Sequence, residues 1–292
     1  MVHYETIPQN FGGLPAERSQ YETARVALLP VPYDATVSYA VGTRNGPQAI
    51  LDASRNVELF DEELLTDISA VGIATLPPVI PDTGGPERMV ERLHEVARSI
   101  AGDGKLLGML GGEHTLTVGS VRAAAEHHPG LSVLQIDAHL DLRDAYEGTP
   151  YNHACAMRRL CDLVPIVPVG IRNVSEEEYA YLRATGVEPF YAHALHGHTQ
   201  WIDAVVERLT DPVYITVDLD GLDPSIMPAV GTPEPGGLDW YQTIALLRQV
   251  CSRRRVVGFD VVELCPIPGL HAPDFLAARL VYKLIGYIYF GF

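Results

Sequence analysis

Three short segments concentrate carboxylates and imidazoles: Gly-Gly-Glu-His at 111–114, Asp-Ala-His-Leu-Asp at 137–141, and Asp-Leu-Asp-Gly-Leu-Asp-Pro at 218–224. In an extended chain, residues i, i+2 and i+4 point the same way. Asp137, His139 and Asp141 therefore converge on one side, while Ala138 and Leu140 turn back into the protein. Asp218 and Asp220 share a face by the same rule. Two carboxylates and an imidazole leaving an apolar run are costly to bury unless a cation sits between them. Without a cation, three separate satisfying partners are needed. His114 follows two glycines that let the backbone turn and leave room beside an ion; alone, this segment reads equally as a turn into a helix with an incidental histidine. Asp223, directly before Pro224, is expected to build the turn by accepting from backbone amides, not to bind metal.

His114, Asp137, His139, Asp141, Asp218 and Asp220 together offer two imidazoles and four carboxylates. A single catalytic zinc usually takes three protein ligands, so this set suits two ions that share carboxylates. Oxygen and imidazole donors without thiolate favour Mn²⁺-like ions, two per chain. Such a pair lowers the pKa of water toward neutrality and so supplies hydroxide. Two divalent ions cancel four carboxylates, and one hydroxide leaves about −1, complementary to a substrate of charge +1.

The elements that must position these groups are legible as apolar runs bounded by turn residues, at 26–31, 71–76, 105–110, 131–136, 164–169, 187–191, 213–217 and 256–262. Several are rich in Val or Ile, as strands buried on both faces are. Helical signals fall between them. Pro86 precedes a stripe of Met89, Leu93, Val96 and Ile100; Ser175 with Glu178 forms a capping box, stopped by Gly186; Asp239 caps a helix toward Arg254; Pro273 opens the last one. Regular alternation of strand and helix predicts an α/β fold: one domain over 1–292, three αβα layers, and a mostly parallel sheet of about eight strands. Ligands of such sheets bind beyond the carboxyl ends of the strands. The three motifs follow the runs at 105–110, 131–136 and 213–217.

The formal charge is −16, from 37 acids and 21 bases, which argues against nucleic acid or an anionic membrane as partner and suits metal cations or small cationic substrates. Cys155, Cys161, Cys251 and Cys265 form no CxxC pair and are expected to be free thiols in a reducing cytoplasm. Residues 1–13 have neither the basic start nor the apolar core of a secretory signal. The apolar stretch at 275–292 carries Arg279 and Lys283 and is too short to span a membrane; a buried terminal helix is expected. A chain of this length folds without a structural metal, so a metal site here asks for a functional explanation.

The three motifs, with GTPEPGGL at 231–238, DVVEL at 260–264 and VPYDATVSYAVGTRNGPQAI at 31–50, resemble those of the ureohydrolases: arginase, agmatinase and their relatives. The resemblance covers almost the whole chain and implies an arginase-like fold. It implies Asp137 and Asp218 as ligands bridging two ions, His114 and Asp141 completing one shell, and His139 and Asp220 the other. Asp141 would also hydrogen-bond the nucleophile. His153 matches the family's proton-shuttle histidine. Glu263 matches the carboxylate that grips the guanidinium, whose planar fork paired oxygens fit. The implied reaction cuts a guanidino group into urea and an amine.

Within the family, arginase holds its substrate's α-carboxylate with an Asn- and Ser-containing loop. The corresponding stretch here, LRDAYEGTPYNHACAMRR at 142–159, lacks that run and carries Asp144 and Glu147. GTPEPGGL is likewise similar to the agmatinase version. The resemblance thus implies agmatine, or a longer guanidino-amine such as N1-aminopropylagmatine, as substrate. Arg143 and Arg158 keep an acidic substrate open. The alternatives are arginase, a guanidino-acid hydrolase or formiminoglutamase on the same scaffold. A catalytically silent metal-binding subunit would have lost a ligand, and none of the six is missing. Because ureohydrolases are usually trimers or hexamers, a homo-oligomer is expected. His193, His196 and His198 crowd one segment with no carboxylate at matching spacing, and read as a solvated loop.

Overall fold

The computed structural model describes residues 7–291; the start of the 1–13 stretch and Phe292 lie outside it. Eight strands form one sheet: β1 (Val26–Val31), β2 (Ile73–Thr75), β3 (Leu106–Gly111), β4 (Ser132–Ile136), β5 (Ile166–Ile171), β6 (Phe190–Tyr191), β7 (Val213–Asp218) and β8 (Val256–Val262). Their spatial order is β2-β1-β3-β8-β7-β4-β5-β6, and every pairing is parallel. Each expected run becomes a strand. The two that shrink most, β2 and β6, are the sheet edges, where only one side offers backbone partners.

Alternation along each strand feeds two cores. Leu28 of β1 belongs to the same buried cluster as Ile136, Ile215 and Val261 on one face, whereas Ala27, Leu29 and Val31 join Met109 and Val262 on the other. The first face is covered by helices α1 (Gly46–Ser54), α6 (Trp201–Arg208), α7 (Trp240–Arg253) and α8 (Ala272–Phe290), through Ile50, Val205, Leu247 and Leu284. The second is covered by α2 (Pro86–Gly102), α3 (Thr117–His127), α4 (Ala156–Leu160) and α5 (Glu176–Thr185), through Leu93, Val121, Met157 and Leu182. These are the three expected layers. The capping box of Ser175 and Glu178 starts α5, and Gly186 ends it in the left-handed region at φ 74°. A second capping box, Asp239 with Gln242, starts α7.

The apolar C-terminal stretch forms α8, buried along most of its length. Lys283 lies inside it with its side chain only 3% exposed. Its ammonium reaches Asp61 at 3.1 Å and Glu63 at 3.0 Å, both on the small hairpin made by Phe60–Asp61 and Thr66–Asp67. No helix among the described residues is long and apolar enough to cross a membrane.

What matters for the site is that β3, β8, β7 and β4 are neighbours at the centre of the sheet. Their carboxyl ends are level, with Leu110 beside Val261, Val262 beside Asp218, and Val217 beside Ile136.

Candidate binuclear metal centre

Each of those four strand ends delivers part of one buried cluster. β3 is followed by His114, β4 by Asp137, β7 ends on Asp218, and β8 leads to Glu263. Past β4 the chain stays extended long enough for His139 to bridge Asn173. It then turns through Asp141, which adopts φ 54°, a conformation unusual for a residue with a side chain. Asp141 therefore joins Asp137 and His139 by a backbone turn, not by continued alternation. Ala138 and Leu140 are fully buried on the opposite side, as the spacing predicts.

Nδ1 of His114 faces three carboxylates: Asp141 Oδ2 at 2.9 Å, Asp137 Oδ2 at 3.2 Å and Asp218 Oδ2 at 3.3 Å. Nδ1 of His139 lies 2.9 Å from Asp220 Oδ2 and 3.8 Å from Asp137 Oδ1. Two triads of donor atoms, His114–Asp137–Asp218 and Asp137–His139–Asp220, thus converge closely enough to hold metal and share Asp137. The six ligand residues suggested by the sequence come together; Asp223 instead accepts amides of Ser225, Gly236 and Gly237 and builds the turn.

The hydrogen bonds behind the cluster decide which atoms remain available. His114 Nε2 is 2.9 Å from Thr216 Oγ1, and Thr216 donates its own proton to Asp260 Oδ1 at 2.6 Å. Thr216 can therefore only accept from His114, which puts the imidazole proton on Nε2 and a lone pair on Nδ1. That Nδ1 is buried and has no hydrogen-bond partner. A lone pair aimed at carboxylate oxygens calls for a cation between them. Burial lowers the His114 pKa, but Asp137, Asp141 and Asp218 outweigh it and lift it well above the ordinary value. A proton takes that place unless a metal does, and the donor set fits divalent ions. Gln135 and the amide of His139 donate to Asp137, the amide of Ala138 to Asp220, and the amide of Asp220 to Asp218. Asp137, Asp218 and Asp220 are each fixed from behind while their other lone pairs face inward.

Electrostatics agree. Burial, and then the neighbouring Asp220 and Asp137, push Asp218 well above the usual carboxylate range. Burial and Asp137 raise Asp141 to about 7. Burial would also raise Asp220, but His139 and the Ala138 amide hold it below its ordinary value. Burial lowers the His139 pKa and is outweighed by Asp220 and Asp137, which lift it to about 11. Crowded buried carboxylates of this kind bind protons when no metal compensates them.

The cluster opens into a cavity of about 180 Å³ lined by Ser38, His139, Asp141, Arg143, Tyr146 and His153 among others. His153 Nε2 is 3.3 Å from Ser38 Oγ, and burial pushes its pKa down to about 4. Tyr146 meets its ring edge-on at 6.3 Å. Glu263 lies deeper, at φ 66°, with Oε1 accepting the His114 amide at 2.7 Å. It does not line the cavity. Burial, then Glu113, raises its pKa well above the ordinary value.

Two sequence readings change. The glycines before His114 make room for protein, not for an ion: a Cβ on Gly112 would lie 2.0 Å from the Tyr33 carbonyl oxygen, and one on Gly111 would lie 2.7 Å from Val262. Asp144 does not face the cavity. It is 71% exposed and paired with Arg159, while Glu147 sits at the tip of an exposed turn at φ 47°. Three residues of the site were missed by sequence reasoning. Thr216 is an interior strand position outside the motifs, and Asp260 opens the DVVEL motif but was given no role. Glu113 had the same signal as Asp137, an acid at a strand end, and proves fully buried.

Residues 24–286 match the model of the Arginase family. The chain is 40% identical over 277 residues to the N(1)-aminopropylagmatine ureohydrolase of Synechocystis, covering 92% of this chain and 90% of that protein. Among solved structures it resembles the agmatine ureohydrolase of Thermoplasma volcanium at a TM-score of 0.86 and 34% identity, covering 96% of this chain and 94% of that one. It also resembles the proclavaminate amidino hydrolase of Streptomyces clavuligerus at a TM-score of 0.87 and 30% identity, over 98% of both chains. The strand-end ligands, the paired metal triads and these similarities agree: the chain belongs to the arginase family of ureohydrolases, hydrolases that act on the C–N bonds of guanidino groups.

Proposed function

We propose that the chain hydrolyses the guanidino group of agmatine, or of a longer guanidino-amine such as N1-aminopropylagmatine, to urea and an amine (putrescine from agmatine), using two Mn²⁺ per chain. The observation that carries this reading is the convergence of three carboxylates on buried His114 Nδ1 beside a second triad that shares Asp137. The substrate class is supported by similarity to an N(1)-aminopropylagmatine ureohydrolase and an agmatine ureohydrolase.

In this reading His114 and Asp141 would hold one ion and His139 and Asp220 the other, with Asp137 and Asp218 available to both. Bound there, two divalent ions supply water of lowered pKa and so hydroxide at neutral pH. The protein's own groups do the rest. A guanidinium is always protonated; the family resemblance assigns its N–H groups to Glu263, which would have to accept them through Oε2 below the cavity, since Oε1 accepts the His114 amide. Asp141, facing both His114 and the cavity, orients the nucleophile and carries its proton to the departing amine. His153, neutral at pH 7, exchanges protons with bulk water.

Arg143 favours a second reading, hydrolysis of a guanidino acid. It lines the cavity, stacks on Tyr146 at 4.8 Å, and has no carboxylate partner among the described residues. Urea release with added Mn²⁺ should be measured on agmatine, N1-aminopropylagmatine, arginine and an ω-guanidino acid, for the parent chain and for Arg143→Ala. Removing a positive charge near a cationic tail should raise kcat/KM for the two amines about fivefold, the equivalent of ~1 kcal/mol at that range. No urea from either amine, or a loss specific to the acid, overturns the amine reading.

The single sheet running through the chain supports one catalytic domain. Four free cysteines support a reducing, cytoplasmic setting. Family membership supports a homo-trimer or hexamer, which sedimentation would distinguish from a monomer of 31.9 kDa.

A further inference from the structure

We propose that Arg172 is a positioning residue that ties Asp220 to the cavity-wall segment 231–238, so that the ion His139 and Asp220 would hold depends on its guanidinium while the ion beside His114 does not. The proposal rests on the reading of the cluster as a binuclear centre.

Arg172 directly follows β5 and is half-buried. Every hydrogen-bond partner of its guanidinium among the described residues is a backbone carbonyl. Nη2 donates to Asp220 at 2.6 Å and Glu234 at 2.7 Å, with Leu222 at 3.3 Å. Nη1 donates to Gly170 at 3.1 Å and Gly221 at 3.3 Å, and Nε to Pro235 at 3.1 Å and Glu234 at 3.2 Å. These acceptors cluster for a local reason. Asp220 lies in a single 3₁₀ turn, Leu219–Gly221, and the last carbonyls of a helical turn have no partner within it. Asp220, Gly221 and Leu222 are buried, where an unpaired carbonyl is costly. A planar fork with five donors reaches several such oxygens at once, and a lysine ammonium does not.

The backbone of the same residue holds the other half of the site. The amides of Arg172 and Asn173 both donate to the Ala138 carbonyl, at 2.9 and 3.0 Å, between Asp137 and His139. The Asn173 side chain donates to Glu234 Oε1 at 2.5 Å. The dipeptide Arg172–Asn173 thus joins three segments: 137–139, 220–222 and 234–235. Thr232 closes the circuit, donating to Asp220 Oδ2 at 3.2 Å while it lines the cavity with Asn173. His114 is held from behind by different groups, its ring by Thr216 and its amide by Glu263. Arg172 touches no reacting atom; its effect passes through Asp220 and the wall segment.

The test is a competition titration of metal-free enzyme with Mn²⁺, with EPR to follow the exchange-coupled ion pair. In Arg172→Met one Kd should rise about 10- to 100-fold and the other should stay within about twofold, as expected for a group that orients a ligand. The coupled signal should give way to that of isolated Mn²⁺ at one ion per chain. Arg172→Lys keeps the charge and loses the fork, and should fail in the same way. The ion retained by His139→Asn should bind equally well with or without Arg172→Met, because both changes act on the same site. Parent-like binding in Arg172→Lys, or both Kd values rising together in Arg172→Met, overturns the proposal. Hydrogen exchange of the parent needs no variant to fold. Mn²⁺ should slow the amides of 231–238 in the parent and in Thr232→Val, and leave them unchanged in Arg172→Met. Ion binding that does not alter 231–238 in the parent overturns the proposal alone. A chain that binds no divalent ion overturns the binuclear reading and the proposal with it.

Discussion

The inner lone pairs at this site belong to residues that are otherwise satisfied. Asp218 Oδ1 accepts the Asp220 amide at 2.9 Å, and Oδ2 points at the unpartnered His114 Nδ1 3.3 Å away. Asp218→Asn can keep the first bond while removing one inward carboxylate. Metal affinity should collapse and urea release should fall more than about 100-fold. A variant that binds metal and releases urea like the parent would contradict the place of Asp218 and His114 Nδ1 as donors to one ion. Thr216 sets that donor up from behind. Thr216→Val removes the acceptor for His114 Nε2 and should weaken metal binding about 10- to 100-fold in a competition titration, leaving secondary structure unchanged.

Among the elements, α8 and the hairpin at 60–67 depend on one another. Lys283 serves Asp61 and Glu63, with Glu62 3.2 Å away, and Tyr287 donates to Glu63 at 2.5 Å. Asp61 is fully buried, so Lys283→Met leaves it with Arg279 and two backbone amides. Removing one partner of a buried pair should cost about 3 kcal/mol in urea unfolding. Backbone hydrogen bonding, then Lys283 and Arg279, hold Glu62 below its ordinary pKa. Burial would raise Glu63, and Tyr287 and Lys283 outweigh it, so Glu63 is lowered as well. A carboxylate with a lowered folded pKa contributes stability that is fully present above its ordinary value of about 4.5 and is lost as pH falls through the folded one. Acid unfolding of the parent should therefore steepen below about pH 4.5, and Lys283→Met should flatten that dependence. Identical acid profiles would show that the hairpin carboxylates are not tied to α8.

For the molecule as a whole, the sheet must hold four aspartates of like charge together at the ends of its central strands. The fold carries that repulsion, and ions that bind only the folded state relieve it. At a free Mn²⁺ concentration 100 times Kd, binding should add about 2.7 kcal/mol to stability, and Tm should rise by several degrees with a dependence on metal concentration. A Tm indifferent to Mn²⁺, Co²⁺ and Zn²⁺ alike would mean that the cluster does not bind divalent ions in the native state.

The order of apolar runs and turn signals, together with acids and histidines at strand ends, was enough to specify the layers, the strand count and the six residues that converge in one cluster. Those features are local: a strand is written in its own apolar residues, and a ligand follows it directly in the chain. Only the tertiary structure decided which strands are neighbours, and so which lone pairs face one another. Thr216 and Asp260 matter because β7 lies beside β8, a fact no local pattern encodes. Glu113 reaches Thr36 across 77 positions of chain, and Asp144 turns away from the cavity because Arg159 takes it. Hydrogen bonds and ion pairs are decided by distances of a few ångströms in space, and sequence fixes such distances only between residues close along the backbone.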